Sequence, residues 1–325
     1  MEAFFSTIPG AIILLIIGFV FLIKGADYFV EGASAVAKKL KVPSLIIGMT
    51  IVAMGTSLPE CSVSVTASMA GSNALAISNA IGSNIFNLMV VLGACALIVP
   101  LEVDANVLKK DHPFSMICAV LVAALGFIGW TLGHIDGIVL LVVFALFLIY
   151  MIRSALKARA EGKAVEEEEI VDLATWKCIV FIIGGAAAIK FGGDWVVSSA
   201  TTLARAFGMS ETFIGLTICA LGTSLPELVT SFMAAKKNEL DMAIGNVVGS
   251  NIFNLLMVVG IAAAISPIEF IVANIIDIVI LLVFSALVWV LCKLKGKLYR
   301  FDGALMLILY VAYIVYIAIR DGGIA

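Results

Sequence analysis

Two glutamates, Glu60 and Glu227, each close the same six-residue string, Gly-Thr-Ser-Leu-Pro-Glu, at 55–60 and 222–227. Each is followed by a second shared string, Asn-Ala-Ile-Gly-Ser-Asn-Ile-Phe-Asn over 79–87 and Asn-Val-Val-Gly-Ser-Asn-Ile-Phe-Asn over 246–254. These strings offer carboxylates, hydroxyls and amides, and no thiolate or imidazole. Oxygen-only ligation with adaptable geometry suits a hard cation: calcium takes about 6–8 such ligands. Sodium, of similar size and half the charge, fits the same oxygens. The missing sulfur and imidazole ligands argue against zinc or copper. Two carboxylates balance one divalent ion.

The residues around each glutamate prepare such a site. Pro59 lacks a backbone N–H and its ring presses on the carbonyl of residue 55, so a helix must break or kink there; Pro226 does the same at residue 222. In lipid such a break is tolerated only where protein buries it or a cavity lies beside it. The freed carbonyls then become ligands beside Thr56, Ser57, Thr223 and Ser224. Thr56 and Glu60, four apart, share a helix face. Asn79, Ser83 and Asn87 form one stripe, as do Asn246, Ser250 and Asn254. Asn84 and Asn251 point about 100° away from the serines before them and are weaker ligand candidates. A purely structural glutamate is the competing reading. It must bear at least about 2.5–3.5 kcal/mol at the bilayer centre and leaves the repeated Pro, Thr and Ser unexplained.

The elements that must position these groups are membrane helices. The chain is 62% hydrophobic and 13% charged with a mean hydropathy of +1.17, far from the balance of a soluble domain. Apolar stretches of about 20 residues place spans at 8–30, 43–69, 74–99, 114–132, 135–156, 176–198, 210–235, 240–265, 270–292 and 301–319. A barrel would show short alternating segments instead. The first run, with no basic region before it, reads as a retained helix and not a leader. The six cysteines are scattered singly and read as small buried hydrophobes. Sixteen of the twenty Lys and Arg fall in or beside the odd-numbered connections, against Arg205 and Arg320 on the other face and Lys24 and Lys190 inside spans. The positive-inside rule therefore puts both termini on the non-cytoplasmic side of a cell (inner) membrane.

A shift of 167 residues superposes the two halves. It lays 48–60 on 215–227 with ten of 13 positions identical, and 79–87 on 246–254 with seven of nine, and it pairs Asp27 with Asp194. Agreement at separate places along the chain signals an internal duplication. Five spans per half is an odd number, so the second half enters the membrane from the opposite side. The expected fold is an all-α polytopic membrane protein of ten transmembrane helices in two inverted five-helix repeats. The first repeat occupies 1–156, a cytoplasmic acidic linker 157–175 and the second repeat 176–325. A two-fold axis then gathers the four motif segments near the midplane.

These motifs resemble the two alpha repeats of the calcium/cation antiporter superfamily, particularly prokaryotic sodium/calcium exchangers, over nearly the whole chain. The resemblance implies that Glu60 and Glu227 are the central cation ligands. It adds the hydroxyls of Thr56, Ser57, Thr223, Ser224, Ser83 and Ser250, the residues Asn87 and Asn254, and backbone carbonyls near Ala53 and Ala220. It implies a core of eight helices across which the first and sixth slide. It further implies exchange of Na+ for Ca2+ by alternating access, three sodium ions against one calcium. Several relatives, potassium-dependent ones among them, carry aspartate where this chain has Asn254, which argues against potassium co-transport.

On this reading Ca2+ and Na+ are transported substrates, no cofactor is required, the chain is not an enzyme, and neither nucleic acid nor an obligate protein partner is involved. The rivals are a Ca2+/H+ exchanger of the same superfamily, a passive cation channel, and a membrane-embedded hydrolase, for which no nucleophile motif is present. Lys24–Asp27 and Lys190–Asp194 have the spacing of helix-surface ion pairs. The run Glu166–Glu169 lacks the pattern of a calcium loop and reads as solvated linker. His112 and His134 read as ordinary surface residues in loops.

Overall fold

Apolar chain in lipid cannot leave backbone N–H and C=O groups unpaired, so it must coil into helices, and in the computed structural model it does. The structure describes residues 7–71, 73–161, 173–208 and 220–320. The helices are α1 (Ile8–Leu40), α2 (Ser44–Thr56), α3 (Leu58–Met69), α4 (Leu75–Ile98), α5 (Val107–Phe127) and α6 (His134–Ala160). After them come α7 (Thr175–Ala206), α8 (Leu225–Lys236), α9 (Leu240–Ile265), α10 (Val272–Lys295) and α11 (Arg300–Arg320). Among the described residues eight helices are long and apolar enough to cross a membrane; α2 and α3, bent 46° apart, make a ninth when counted as one span. The protein is a membrane protein built of apolar helices.

The duplication is visible in where elements begin. α1 and α7 start 167 residues apart, and so do α3 and α8. α4 and α9 end 167 apart, and each carries a π-helical turn at the same offset, Asn87–Val91 and Asn254–Val258. Four two-residue strands, β1 (Leu101–Glu102), β2 (Thr131–Leu132), β3 (Ile268–Glu269) and β4 (Lys297–Leu298), pair antiparallel as β1–β4 and β2–β3, stitching the helix ends of one half to those of the other. Lys297 and Glu102 add an ion pair across the first of these.

Burial ranks the helices. In the most apolar window of α4 and α9, 72% and 78% of residues are buried, against 28% in α1, α6, α7 and α11. α4 and α9 are thus the centre and the other four face lipid. α2 presses onto α9 through glycine: a Cβ on Gly249 would lie 2.6 Å from the Met49 carbonyl. α1 and α7 pack antiparallel, Gly18 meeting Gly192, Gly25 meeting Gly185, and Gly32 meeting Phe181. Small residues allow this approach, the usual means of helix association where lipid supplies no hydrophobic drive.

Several boundaries differ from expectation. α1 runs to Leu40, not residue 30, because its last third is a buried small-residue stretch, Gly32, Ala33, Ser34, Ala35 and Ala37, that packs on protein. α5 spans 107–127 in place of 114–132. A π turn carrying Lys109 and Lys110 starts it early, and Gly129 and Trp130, both at positive φ, end it before β2. α7 continues to Ala206. The start of the seventh expected span and the acidic run Glu166–Glu169 lie outside the described residues.

Two side-chain expectations are corrected. His112 is not a surface loop residue: it begins the regular part of α5, is buried, and its Nε2 lies 2.9 Å from the Ser285 carbonyl. Its partner sits on α10, invisible to local reading. Asp27 does not pair with Lys24; it accepts from Lys237, just beyond α8, at 2.8 Å. Lys190 and Asp194 do pair, at 2.7 Å. Cys95, Cys118, Cys178 and Cys292 are buried, as expected; Cys61 is half-buried and Cys219 lies outside the described residues.

Candidate cation-binding site

The proline breaks place both glutamates. Ser57 (φ −86°, ψ 9°) interrupts the helix, and α3 restarts with Pro59 and Glu60 in its first turn. Ser224 (φ −92°, ψ 4°) precedes α8 in the same way, with Pro226 and Glu227 in the first turn. Proline is tolerated there because the first N–H groups of a helix have no intrahelical partner. A carboxylate there also meets the positive end of the helix dipole. A π turn, Gly48–Val52, lies just before the first break. The Ala53 carbonyl accepts the Ser57 N–H at 3.0 Å and the Thr56 hydroxyl at 3.3 Å, and Ala220 opens the helical turn Ala220–Gly222.

The two halves then interlock by exchange. Ser57 donates to Oε1 of Glu227 at 2.7 Å, and Ser224 to Oε1 of Glu60 at 3.2 Å. Thr56 donates to Asn246 Oδ1 at 3.1 Å, and Thr223 to Asn79 Oδ1 at 3.4 Å. Asn79 in turn donates to Ser64 at 3.2 Å, and Asn246 to Ser231 at 2.9 Å. Ser224 also reaches Ser83 at 2.9 Å, and Ser83 reaches Glu60 Oε1 at 3.5 Å. Every bond from one half to the other in this list has a mirror bond 167 residues displaced, except the one to Ser83.

Glu60, Glu227, Thr56, Ser57, Ser224, Ser250, Asn87 and Asn254 are completely buried, Ser83 is buried and Thr223 is half-buried. Among the described residues no Lys, Arg or His lies within ion-pair distance of either carboxylate. Five buried oxygens of these groups have no hydrogen-bond partner: Glu60 Oε2, Glu227 Oε2, Ser250 Oγ, Asn87 Oδ1 and Asn254 Oδ1. Buried polar groups in folded proteins are nearly always satisfied, so five open oxygens within the duplicated motifs demand an explanation. Among the described residues no three His, Cys, Asp or Glu side chains converge, which leaves an oxygen set of two carboxylates with neutral hydroxyls and amides.

Sequence reasoning passed over Ser64 and Ser231, which hold the bracing asparagines. The signal was present, since both stand four residues after a glutamate and pair under the 167 shift. It also set aside Asn84 and Asn251. Each donates its amide to the other's backbone carbonyl, at 3.1 and 3.4 Å, where α4 crosses α9.

The sequence profile of the family described as sodium/calcium exchanger protein matches residues 10–153 and again 177–319. The chain belongs to that family. Among its relatives, the inner membrane protein YrbG of Escherichia coli (strain K12) is 38% identical over 264 residues, 78% of this chain and 79% of the relative. The sodium/calcium exchanger MaX1 of Methanosarcina acetivorans is 29% identical over 339 residues, 93% of this chain and 97% of the relative. A solved structure of the sodium-calcium exchanger NCX_Mj, soaked with Na+ and Ca2+, superposes with a TM-score of 0.82 at 31% identity, covering 94% of this chain and 97% of that one. The profile matches once in each half of the chain.

Proposed function

We propose that the protein is a secondary active antiporter that exchanges Na+ for Ca2+, with both ions competing for one site between the two halves. The observation that carries this reading is the set of five unpartnered buried oxygens, which includes one from each glutamate. Two carboxylates in a cation-free protein interior are costly unless a counter-ion joins them. Glu60 and Glu227 supply the charge. Ser83, Ser250, Asn87 and Asn254, the hydroxyls of Thr56, Ser57, Thr223 and Ser224, and the carbonyls of Ala53 and Ala220 complete the oxygen shell. Calcium fills such a shell with its charge balanced; sodium ions take the same oxygens when calcium leaves.

The alternating-access part of this reading draws on α1 and α7. Equivalent under the 167 shift, they run antiparallel, which is the behaviour of repeats inverted about an axis in the membrane plane. Ten spans in two inverted five-helix halves, joined by a linker at 157–175, accommodate this, with both termini on the non-cytoplasmic side of the cell membrane. The α1–α7 pair is lipid-facing and packs on the broken helices, so its sliding opens the site to one side at a time.

Calcium uptake into sodium-loaded proteoliposomes, with sodium, potassium and proton gradients varied singly, tests this. An outward sodium gradient is expected to drive uptake, and Glu60→Gln and Glu227→Gln to abolish it. Uptake driven by a pH gradient in sodium-free buffer would replace sodium by protons as the driving ion. Flux indifferent to any opposing gradient would make the protein a channel.

A further inference from the structure

We infer that Asn84 and Asn251 are positioning residues that turn the amide oxygens of Asn87 and Asn254 toward the ion, each acting on the asparagine of the other half. The inference rests on the reading of Asn87 and Asn254 as ligands. It begins at two backbone carbonyls, which can only accept. The Asn84 amide lies 3.1 Å from the carbonyl of Asn251, so its NH2 end must face that carbonyl. Its Oδ1 is then the end that faces Asn254, at 3.2 Å, and only the NH2 of Asn254 can meet it. The remaining end of Asn254 is Oδ1, buried and unpartnered. The mirror chain runs from the Asn84 carbonyl through Asn251, 3.4 Å, to the NH2 of Asn87, 3.2 Å, and leaves Asn87 Oδ1 open.

The same logic sets specificity. Asn84 presents an acceptor to residue 254, so an amide is favoured there and a carboxylate would put oxygen against oxygen. The site is thereby held at two carboxylates. A π turn begins at Asn87 and at Asn254, with the Leu92 N–H reaching back to Asn87 and the Val259 N–H to Asn254, which widens each helix where the amide must turn.

Calcium titration of the detergent-purified full chain, read as a thermodynamic cycle, decides the matter. Outer groups that orient a ligand typically cost about 10–100-fold in metal affinity when removed. Asn84→Ala should weaken Ca2+ binding about tenfold in the wild-type background and less than about twofold when Asn254→Ala is present. Combined with Asn87→Ala, a neighbour on its own helix, it should still cost the full factor. In an Asn254→Asp background it should strengthen binding, because the opposed acceptor is gone. Equal losses in all backgrounds, or coupling to Asn87 as large as to Asn254, overturn the inference. Should Asn84→Ala fail to fold, Asn254→Asp alone is decisive: it should bind Ca2+ no more tightly than wild type, and a tighter complex overturns the inference. Glu60→Gln and Glu227→Gln are read alongside. If they leave binding intact, the site itself is misplaced; if they abolish it while the asparagine cycle is additive, only the orientation fails.

Discussion

Ser57 donates a 2.7 Å hydrogen bond to Oε1 of Glu227, 170 residues further along the chain, and Ser224 returns the bond to Glu60. Each carboxylate is therefore held by the residue that breaks the other half's helix, and neither half owns a complete site. A hydrogen bond to a charged group is worth about 1.5–3 kcal/mol. Ser57→Ala and Ser224→Ala are each expected to lower Ca2+ affinity about tenfold, by similar factors because the bonds are mirror images, while Ser57→Thr keeps a hydroxyl and most of the affinity. Equilibrium calcium binding on purified variants checks this; a loss confined to one serine would contradict the exchange.

Removing one carboxylate should shift selectivity as well as affinity. Coulomb energy scales with the product of charges, so the loss of one negative charge costs a divalent ion twice what it costs a monovalent ion at the same place. Glu60→Gln and Glu227→Gln are expected to weaken Ca2+ more steeply than Na+, measured as sodium competition against residual calcium binding at raised calcium. Parallel losses for both ions would mean that the glutamate shapes the site without supplying its field.

How far the sequence reached can be judged from particular residues. Glu60 and Glu227 were legible because a duplicated carboxylate in an apolar run has no cheap structural excuse, and the broken helices followed from proline's missing N–H. The two halves and the core position of α4 and α9 followed from the 167-residue shift and the polar stripes. The roles of Asn84 and Asn251 were not legible. Their direction, about 100° from the serines, was read correctly from the helical period, but it leads across the α4–α9 crossing to a backbone carbonyl, and only the assembled pair shows that. The π turns escaped for a related reason: nothing in local propensity asks for them. His112 and Asp27 were misassigned because each finds its partner on a helix distant in sequence.

Close packing of α1 on α7 gives a stability prediction with a built-in control. A Cβ on Gly192 would fall 2.6 Å from the Leu22 backbone nitrogen, whereas one on Gly184, exposed on the same helix, meets nothing within 4 Å. Overpacking costs about 1–3 kcal/mol. Gly192→Ala should lower the thermal midpoint in detergent and slow sodium-driven calcium uptake, and Gly184→Ala should do neither. Equal behaviour of the two variants would show that the helix pair tolerates separation.

Lys237, outside the site, also departs from the symmetry that relates the two halves. It holds Asp27 Oδ1 at 2.8 Å, the Asp27 carbonyl at 2.9 Å and Glu31 at 3.8 Å, tying α1 to the end of α8. In the other half the position equivalent to Lys237 is Ala70, and Asp194, the counterpart of Asp27, pairs within its own helix. Under the alternating-access reading proposed above, one end of the α1–α7 pair is latched and the other is not, and the latch would favour the access state in which α1 is docked on α8. Partly exposed pairs of this kind are worth about 0–1 kcal/mol, a shift of up to about fivefold between states. A ligand or contact that differs between two states moves their populations by that difference and leaves intrinsic affinities alone. Lys237→Ala is thus expected to change the apparent calcium affinity in opposite directions when measured from the two sides of oriented vesicles. The two apparent affinities moving together would place Lys237 in ion binding and not in the balance between access states.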